Sequence, residues 1–581
     1  MGSLKALLPY LGRYRLALVL GFGAMVLAIG FSRLAPWFMR LALDSLEALG
    51  PGGDRSPVYR NTAWMFLVAL LGGAFLYFQR WLIIGTSRRV EEDLRVELFR
   101  RVQRMDLAFF DRSATGDLMS RFTNDLNALR DVAGPGLMYS FQMTAIVATT
   151  IGFMLSLDVR LTLLAILPYP LVSLVTYFYG RALHRRSLAL QESFGRLSAR
   201  AQEDIAGARA LRAYGREGEA AERFLVRCEE YKEANLALTR LRAAFHAAIT
   251  ALAALGPVIT LLVGGRMYMA GTLSLGTFVA FTVYLISLTW PVAAIGWVVS
   301  IIQRGASAMV RLREILEREP LIRSGDYHAS PPGELVFDRV SFTYPGAGEP
   351  ALRELSFRLA PGDTLGVTGP TGSGKSTLLK LILRGYDPTE GEIRLGGRPL
   401  PAWDLGGLRS AMGYAPQDSF LFSRTLAENI GYGRPGSSRE RIGEAVVLAG
   451  LDSDLPALPQ GLDTLIGERG VTLSGGQRQR ASLARACLSR PDLLLLDDTL
   501  SSVDANKEAR ILANLRPLIA DRTTVIISHR ISAVRGADRI LVLDEGRLVE
   551  EGRHGELLER DGLYAALNRR QQLQARIEGA R

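Results

Sequence analysis

Gly369-Pro370-Thr371-Gly372-Ser373-Gly374-Lys375-Ser376 is the stretch on which the fold of this 581-residue chain turns. It follows a short apolar run at 364–367 and opens a segment with helical spacing, so it reads as a strand–loop–helix connection. Glycines at these spacings let backbone N–H groups curl around phosphate oxygens, and the start of the following helix adds positive potential. Lys375 is placed to reach the outer phosphates, Ser376 to ligate magnesium, and Thr377 extends the set into the helix. Nearly all other basic residues are Arg, which makes a lysine at this position stand out. Alone, the motif says only that a nucleotide phosphate binds.

Two more short apolar runs, 493–496 and 524–527, alternate with helical patterns, and no membrane-length apolar run lies beyond 333. The region 333–581 is therefore expected to be a soluble α/β domain with a mainly parallel sheet. The run 493–496 ends in Asp497, a carboxylate positioned to orient magnesium through its water shell. Asp498 follows, where a hydrolytic site calls for a Glu within reach of the attacking water; Asp is one methylene shorter. Upstream, Leu473-Ser474-Gly475-Gly476-Gln477 opens a helical stretch, a glycine-bearing helix start able to donate hydrogen bonds to an anion.

The first half reads differently. Hydrophobic residues make up 48% of the chain and charged residues 22%, an apolar excess that a soluble protein of this size would struggle to bury. Segments near 16–38, 62–84, 137–157, 161–179, 247–268 and 277–301 are each long and apolar enough to cross a bilayer. A membrane domain is thus expected over 1–312, an all-α polytopic domain with six spans and long cytoplasmic helical extensions, followed by a linker at 313–332 that ends in Pro331-Pro332 just before Gly333. No cleavage signal is visible at the first span. Arginines crowd the connection between spans two and three, while Asp44, Glu47 and Asp54 follow span one, so the positive-inside bias puts the Arg-rich loops, the N-terminus and the second domain in the cytoplasm. Val90, Leu94, Leu98 and Val102 fall at helical spacing in that connection, a helix continuing past the bilayer whose tip can meet a cytosolic domain. The net charge of +11 alone suits nucleic acid or anionic lipid; its position in inner loops favours membrane lipids and excludes a nucleic-acid ATPase. Cys228 and Cys487 are too far apart and too few for a disulfide framework or a zinc site. Arg33, Arg80 and Arg266 are read as residues at span ends or as a polar cavity, with snorkelling the simpler account.

Taken in order, the phosphate loop, Ser474–Gln477 and the Asp497 strand resemble the signature of ATP-binding cassette proteins. Tyr344 matches the aromatic that stacks on adenine, Gln417 the loop that senses γ-phosphate and ligates magnesium, Asp504 the position after the carboxylate strand, and His529 the switch histidine. A lone Tyr, Gln or His would be weak; order and spacing carry the argument. Phe109-Phe110-Asp111, Thr115-Gly116-Asp117-Leu118 and Ala206-Gly207 to Glu217 resemble the two cytoplasmic connections of type-IV-fold ABC exporters, and Thr464 to Gly470 their cross-linking loop.

The resemblance implies a half-transporter that pairs with a second half-transporter and binds ATP with Mg2+ in composite sites. The catalytic set would be Asp498, His529 and Gln417, with Asp497 and Ser376 on the metal. Ser474, Gly475, Gly476, Gln477 and Asp504 would serve nucleotide from across the pair. With Asp498 in place of Glu, a rate loss of roughly 10²–10⁴ would fall on this chain's own site. That pattern is similar to one subunit of heterodimeric exporters, whose partner keeps the Glu. The expected function is ATP-driven export of an amphipathic small molecule or peptide across the cell (inner) membrane. A lipid flippase and an ATP-gated regulatory or channel subunit share the same motifs and stay open.

Overall fold

The computed structural model describes residues 2–49, 53–328, 333–467 and 473–579. Two compact units emerge, one of residues 1–103 and 115–318, the other of residues 104–114 and 319–581.

Among the described residues of the first unit six helices are long and apolar enough to span a membrane: Arg15–Glu47, Ser56–Gln103, Thr115–Leu157, Val159–Ala206, Glu217–Met269 and Leu275–Leu316. Each contains one of the expected apolar segments, and the longest runs to 53 residues, about 80 Å at 1.5 Å per residue. Most of that length beyond the apolar windows is amphipathic helix. Val90, Leu94 and Leu98 are fully buried on one face of the second span's extension. Glu91, buried beside them, pairs with Arg95 at 2.6 Å and faces Arg130 at 3.6 Å. Spans one and two pack closely because Gly21 has no side chain to meet Ile83, whose Cγ1 would lie 2.7 Å from a Cβ there. Wider helical turns interrupt the third span at Val132–Gly136, around Pro135, and the fifth at Thr260–Gly264, just after Pro257, as expected where proline removes a backbone donor. Arg33 is buried and donates to Ser287, whereas Arg80 and Arg266 are exposed.

The expected start of the linker at 313 falls inside the last span, which continues to Leu316. Buried Leu312 and Ile315 carry the packed face onward, and Arg313 pairs with Glu317 at 2.6 Å one turn later. Linker residues 329–332 and residues 468–470 of the expected cross-linking loop lie outside the described residues.

Among its described residues the second unit holds two sheets. Strands β1 (Leu335–Phe342), β2 (Leu352–Leu359), β4 (Glu390–Leu395) and β5 (Arg398–Pro399) form an antiparallel sheet in the order β2-β1-β4-β5. Strands β3 (Thr364–Thr368), β6 (Met412–Ala415), β7 (Leu493–Asp497), β8 (Thr523–Ile527), β9 (Arg539–Asp544) and β10 (Arg547–Gly552) form the second, ordered β10-β9-β3-β8-β7-β6. All its pairings are parallel except β9 with β10. Every residue of β3, β7 and β8 is buried, which is why these strands read as unbroken apolar runs. The antiparallel sheet had no such signature, and only the structure reveals it. Residues 104–114 belong to this unit: Ala108 joins its main core, and Tyr386 donates its hydroxyl to Asp111.

Candidate functional site

Because β3, β8 and β7 are parallel neighbours, the segments leaving their carboxyl ends meet at one edge of the sheet. They are the loop 369–374, the Ser528-His529 pair and the Asp497-Asp498 pair. Two backbone positions require glycine there. Gly369 has φ +145°, and a Cβ would sit 2.0 Å from Leu543 O; Gly374 has φ +92°, with Ala351 O 2.5 Å from any Cβ. Gly374 caps the helix Lys375–Ile382 with no side-chain cap bond, and the first residues of that helix line the cavity.

The cavity, about 330 Å³, is lined by Tyr344, Thr371, Gly372, Gly374, Lys375, Ser376, Thr377, Gln417, Asp497, Asp498 and His529, together with Ala351 and Ile527. The sequence-predicted residues of this set are thus brought together. Lys375 Nζ donates to Gly369 O at 3.0 Å, Pro370 O at 2.6 Å and Ser373 Oγ at 3.3 Å, all neutral acceptors. Burial holds its pKa below the ordinary lysine value, against the opposing pull of the Asp498 and Asp497 charges. An anion entering here gains a cation that no carboxylate neutralises by direct contact among the described residues.

Ser376 Oγ donates to Asp497 Oδ1 at 3.0 Å. Burial raises the Asp497 pKa above the usual carboxylate range; the Ser376 bond works against that shift and the Asp498 charge adds to it. Among the described residues no cluster of three or more His, Cys, Asp or Glu could hold a metal by itself. Hydroxyl, carboxylate and the Gln417 amide instead supply a small hard-oxygen set, which fits a magnesium ion that keeps water and phosphate ligands. Tyr344 is edge-on to Phe342 and Tyr386, and its hydroxyl lies 3.0 Å from Thr377 Oγ1, so its ring is fixed at the cavity wall.

Asp498 has φ +48°, a left-handed conformation that Asp tolerates better than longer side chains. Its N–H donates to Ile527 O at 2.8 Å, Ser528 Oγ donates to Oδ1 at 3.2 Å, and His529 Nδ1 lies 2.8 Å from Oδ2. The carboxylate is therefore oriented by the segment after β8.

Five expected site residues lie elsewhere. Ser474 caps the helix Gly475–Leu488 in a reciprocal arrangement with Gln477, Oγ accepting from Gln477 N at 3.2 Å and Gln477 Oε1 from Ser474 N at 2.9 Å. Neither they nor Gly475 and Gly476 line the cavity of their own chain. Asp504 caps the helix Ala505–Ile519, accepting from Lys507 N at 2.9 Å, and that bond holds its pKa low. Engaged as a cap, its carboxylate does not join the cavity.

No motif announces the frame behind the site. Arg530, next to His529, donates to Val503 O, Ser501 O and Glu508, whose side chain is buried. Gln479 holds the same turn through Ser501 Oγ at 3.0 Å and Ser502 N at 3.1 Å. No spacing rule links residues so far apart in sequence.

The model of the ABC transporter transmembrane region matches residues 16–292, and that of the ABC transporter ATP-binding part, described as ABC transporter, matches 352–501. The Bacillus subtilis protein YheI, a probable multidrug resistance ABC transporter ATP-binding/permease protein, is 37% identical over 98% of this chain and 96% of its own length. The chain belongs to the ABC transporter family. The multidrug resistance-like ATP-binding protein MdlA of Escherichia coli is 38% identical over 89% of this ABC transporter chain and 88% of its own. The solved structure of a bacterial Atm1-family ABC exporter with ATP bound aligns with TM-score 0.80 at 27% identity, covering 96% of this chain and 99% of the other. A six-span membrane domain followed by an ATP-binding cassette makes this chain an ABC exporter half-transporter, an integral membrane protein that couples ATP hydrolysis to transport.

Proposed function

We propose that this chain is one subunit of a heterodimeric exporter of amphipathic compounds in the cell membrane, with its cassette and N-terminus cytoplasmic. The observation that carries the pairing is the separation of Ser474–Gln477 from the cavity holding Lys375: the pocket lacks, within one chain, the helix start that would face its outer phosphate. A second chain supplies it, and this chain's signature completes the companion's site. The names of YheI and MdlA, both multidrug resistance proteins or likenesses of them, support a broad amphipathic substrate.

In this reading ATP closes two cassettes over two composite sites. Lys375 and the loop N–H groups bind the phosphates, Tyr344 stacks on the base, and His529, held by Asp498, faces the γ-phosphate. Magnesium carried with ATP would be held by Ser376, Gln417 and Asp497 and would neutralise developing phosphate charge. Asp498 ends too short to take the water's proton well, so this site retains ATP while the companion site, keeping its Glu, hydrolyses it. Motion at the cassettes passes through the cytoplasmic helix tips and turns the membrane cavity outward.

The test is to purify the chain alone and with co-expressed neighbours, then measure the mass of the complex, ATPase activity and uphill accumulation of an amphipathic dye in vesicles. A heterodimer whose turnover depends on the companion's glutamate supports the reading. A fully active homodimer overturns the asymmetric part, and nucleotide-gated leak without accumulation overturns export.

A further inference from the structure

The helix Leu563–Gly579 closes the second unit, and its inner face is anchored beside the switch segment. Fully buried Tyr564 packs with Ile531, Ile540, Val542 and Leu557, and Leu567 covers the same cluster. Glu550 caps the helix start by accepting from Leu563 N and Tyr564 N, and His554 Nδ1 lies 2.7 Å from Tyr564 Oη. Tyr564, Leu567 and Gln571 are spaced i, i+3, i+7, so they lie along one face. At the end of that face Gln571 makes a two-sided bridge. Its Oε1 accepts from Ile531 N at 2.9 Å and its Nε2 donates to His529 O.

We propose that Gln571 is a positioning residue for His529, through which the C-terminal helix sets how tightly this chain's pocket holds the terminal phosphate of a nucleoside triphosphate. The bridge spans His529-Arg530-Ile531 and satisfies one donor and one acceptor of that backbone. Arg530, between them, is fixed to Ser501 O, Val503 O and Glu508, and Ser532 donates to the same Glu508 carboxylate. With the backbone pinned from behind by Gln571 and from the side by Arg530, the His529 ring has its Nδ1 on Asp498 and its rim in the cavity. Remove Gln571 and two backbone groups lose their partners, while the helix keeps its Tyr564 and Leu567 anchors. The switch segment then re-pairs with water and His529 loses its fixed aim.

This rests on the reading that His529 faces the γ-phosphate, which makes the diagnostic a difference between two nucleotides. In the full assembled transporter, Gln571→Ala and Gln571→Glu are compared with the unchanged chain and with Arg570→Ala at the exposed neighbour. Glutamate keeps the acceptor for Ile531 N but loses the donor toward His529 O, at nearly unchanged volume. Binding of ATP and of ADP, each with magnesium, and the lifetime of retained ATP are measured at this chain's site. Both Gln571 variants are expected to weaken ATP and shorten its retention by about fivefold to tenfold, the loss of one to two net hydrogen bonds, with ADP unchanged. Equal losses for ATP and ADP would show a merely structural role and overturn the proposal, as would an unchanged ATP-to-ADP ratio. If instead His529→Ala itself leaves that ratio unchanged, the underlying reading of His529 fails rather than the bridge.

Discussion

Asp498→Glu is the substitution that most directly interrogates this site. One added methylene moves the carboxylate by about 1.5 Å along the side chain, toward the water position that a general base must reach. Such a base contributes roughly 10²–10⁴-fold. Taking the lower bound, turnover at this chain's site should rise about 100-fold, or about 2.7 kcal/mol off the barrier at 1.36 kcal/mol per tenfold. Opposing costs are visible around Asp498. It is 8% exposed, sits at φ +48°, and uses both oxygens on Ser528 and His529. Glu tolerates the left-handed region less well, by about 1 kcal/mol, a loss of stability that leaves the folded site intact. Turnover per site is the measurement, made in the assembled transporter with the companion site silenced at its phosphate-loop lysine. Asp498→Asn, isosteric and able to keep the Ser528 contact, is the control; it should change turnover by less than about threefold if Asp498 supplies no base catalysis. An unchanged rate in the Glu variant, or a hundredfold collapse in the Asn variant, refutes the reasoning: the first says reach is not limiting, the second that Asp498 is already the base.

Gly374→Ala places a Cβ 2.5 Å from Ala351 O at φ +92°, so nucleotide affinity should fall at least about tenfold with a lower melting temperature; an unaltered titration with a fluorescent nucleotide would contradict the assigned loop geometry. Proton exchange on binding should change sign with pH. The Asp497 pKa is raised by burial while magnesium favours its ionised form, so binding releases protons and weakens as pH falls through that raised range. The Lys375 pKa is lowered by burial while phosphate favours its charged form, so on the alkaline side binding takes protons up; calorimetry in buffers of different ionisation enthalpy reads both, and opposite slopes would overturn the assignment. Cys487 is buried with its thiol pushed up to about 12, whereas Cys228 is half-buried, so maleimide at pH 8 should add one label per chain, at Cys228, by intact mass. Labelling at Cys487 would mean that the helix Gly475–Leu488 opens readily.

What made the fold legible was burial on both faces. Strands β3, β7 and β8 carry no polar alternation because nothing polar is wanted on either side, and so 364–367, 493–496 and 524–527 announce themselves. Membrane spans are legible for the same reason, since lipid or protein surrounds them throughout. Strands β1 and β2 are half-exposed and register-shifted by bulges, which breaks their alternation and leaves no strand signal in the sequence. The linker's expected start at 313 falls short of the structural boundary because the last helix continues without any breaker as far as Leu316, capped at Glu317.

The site divides along a different line. Residues proposed to meet phosphate or metal answer to the ligand's own geometry, so Gly369, Lys375 and Ser376 fall in one recognisable string and Asp497 closes an unbroken apolar run. Residues that hold those residues answer only to the fold. Glu508 is held by Arg530 and Ser532, Arg530 in turn by the Ser501–Val503 turn, and Gln571 bridges His529 and Ile531 because a helix anchored at Tyr564 runs past them. Any donor–acceptor side chain of suitable length could have served at 571. That freedom makes such positions invisible to motif reading, and it also lets this layer vary the lifetime of bound ATP while the chemistry in front of it stays fixed.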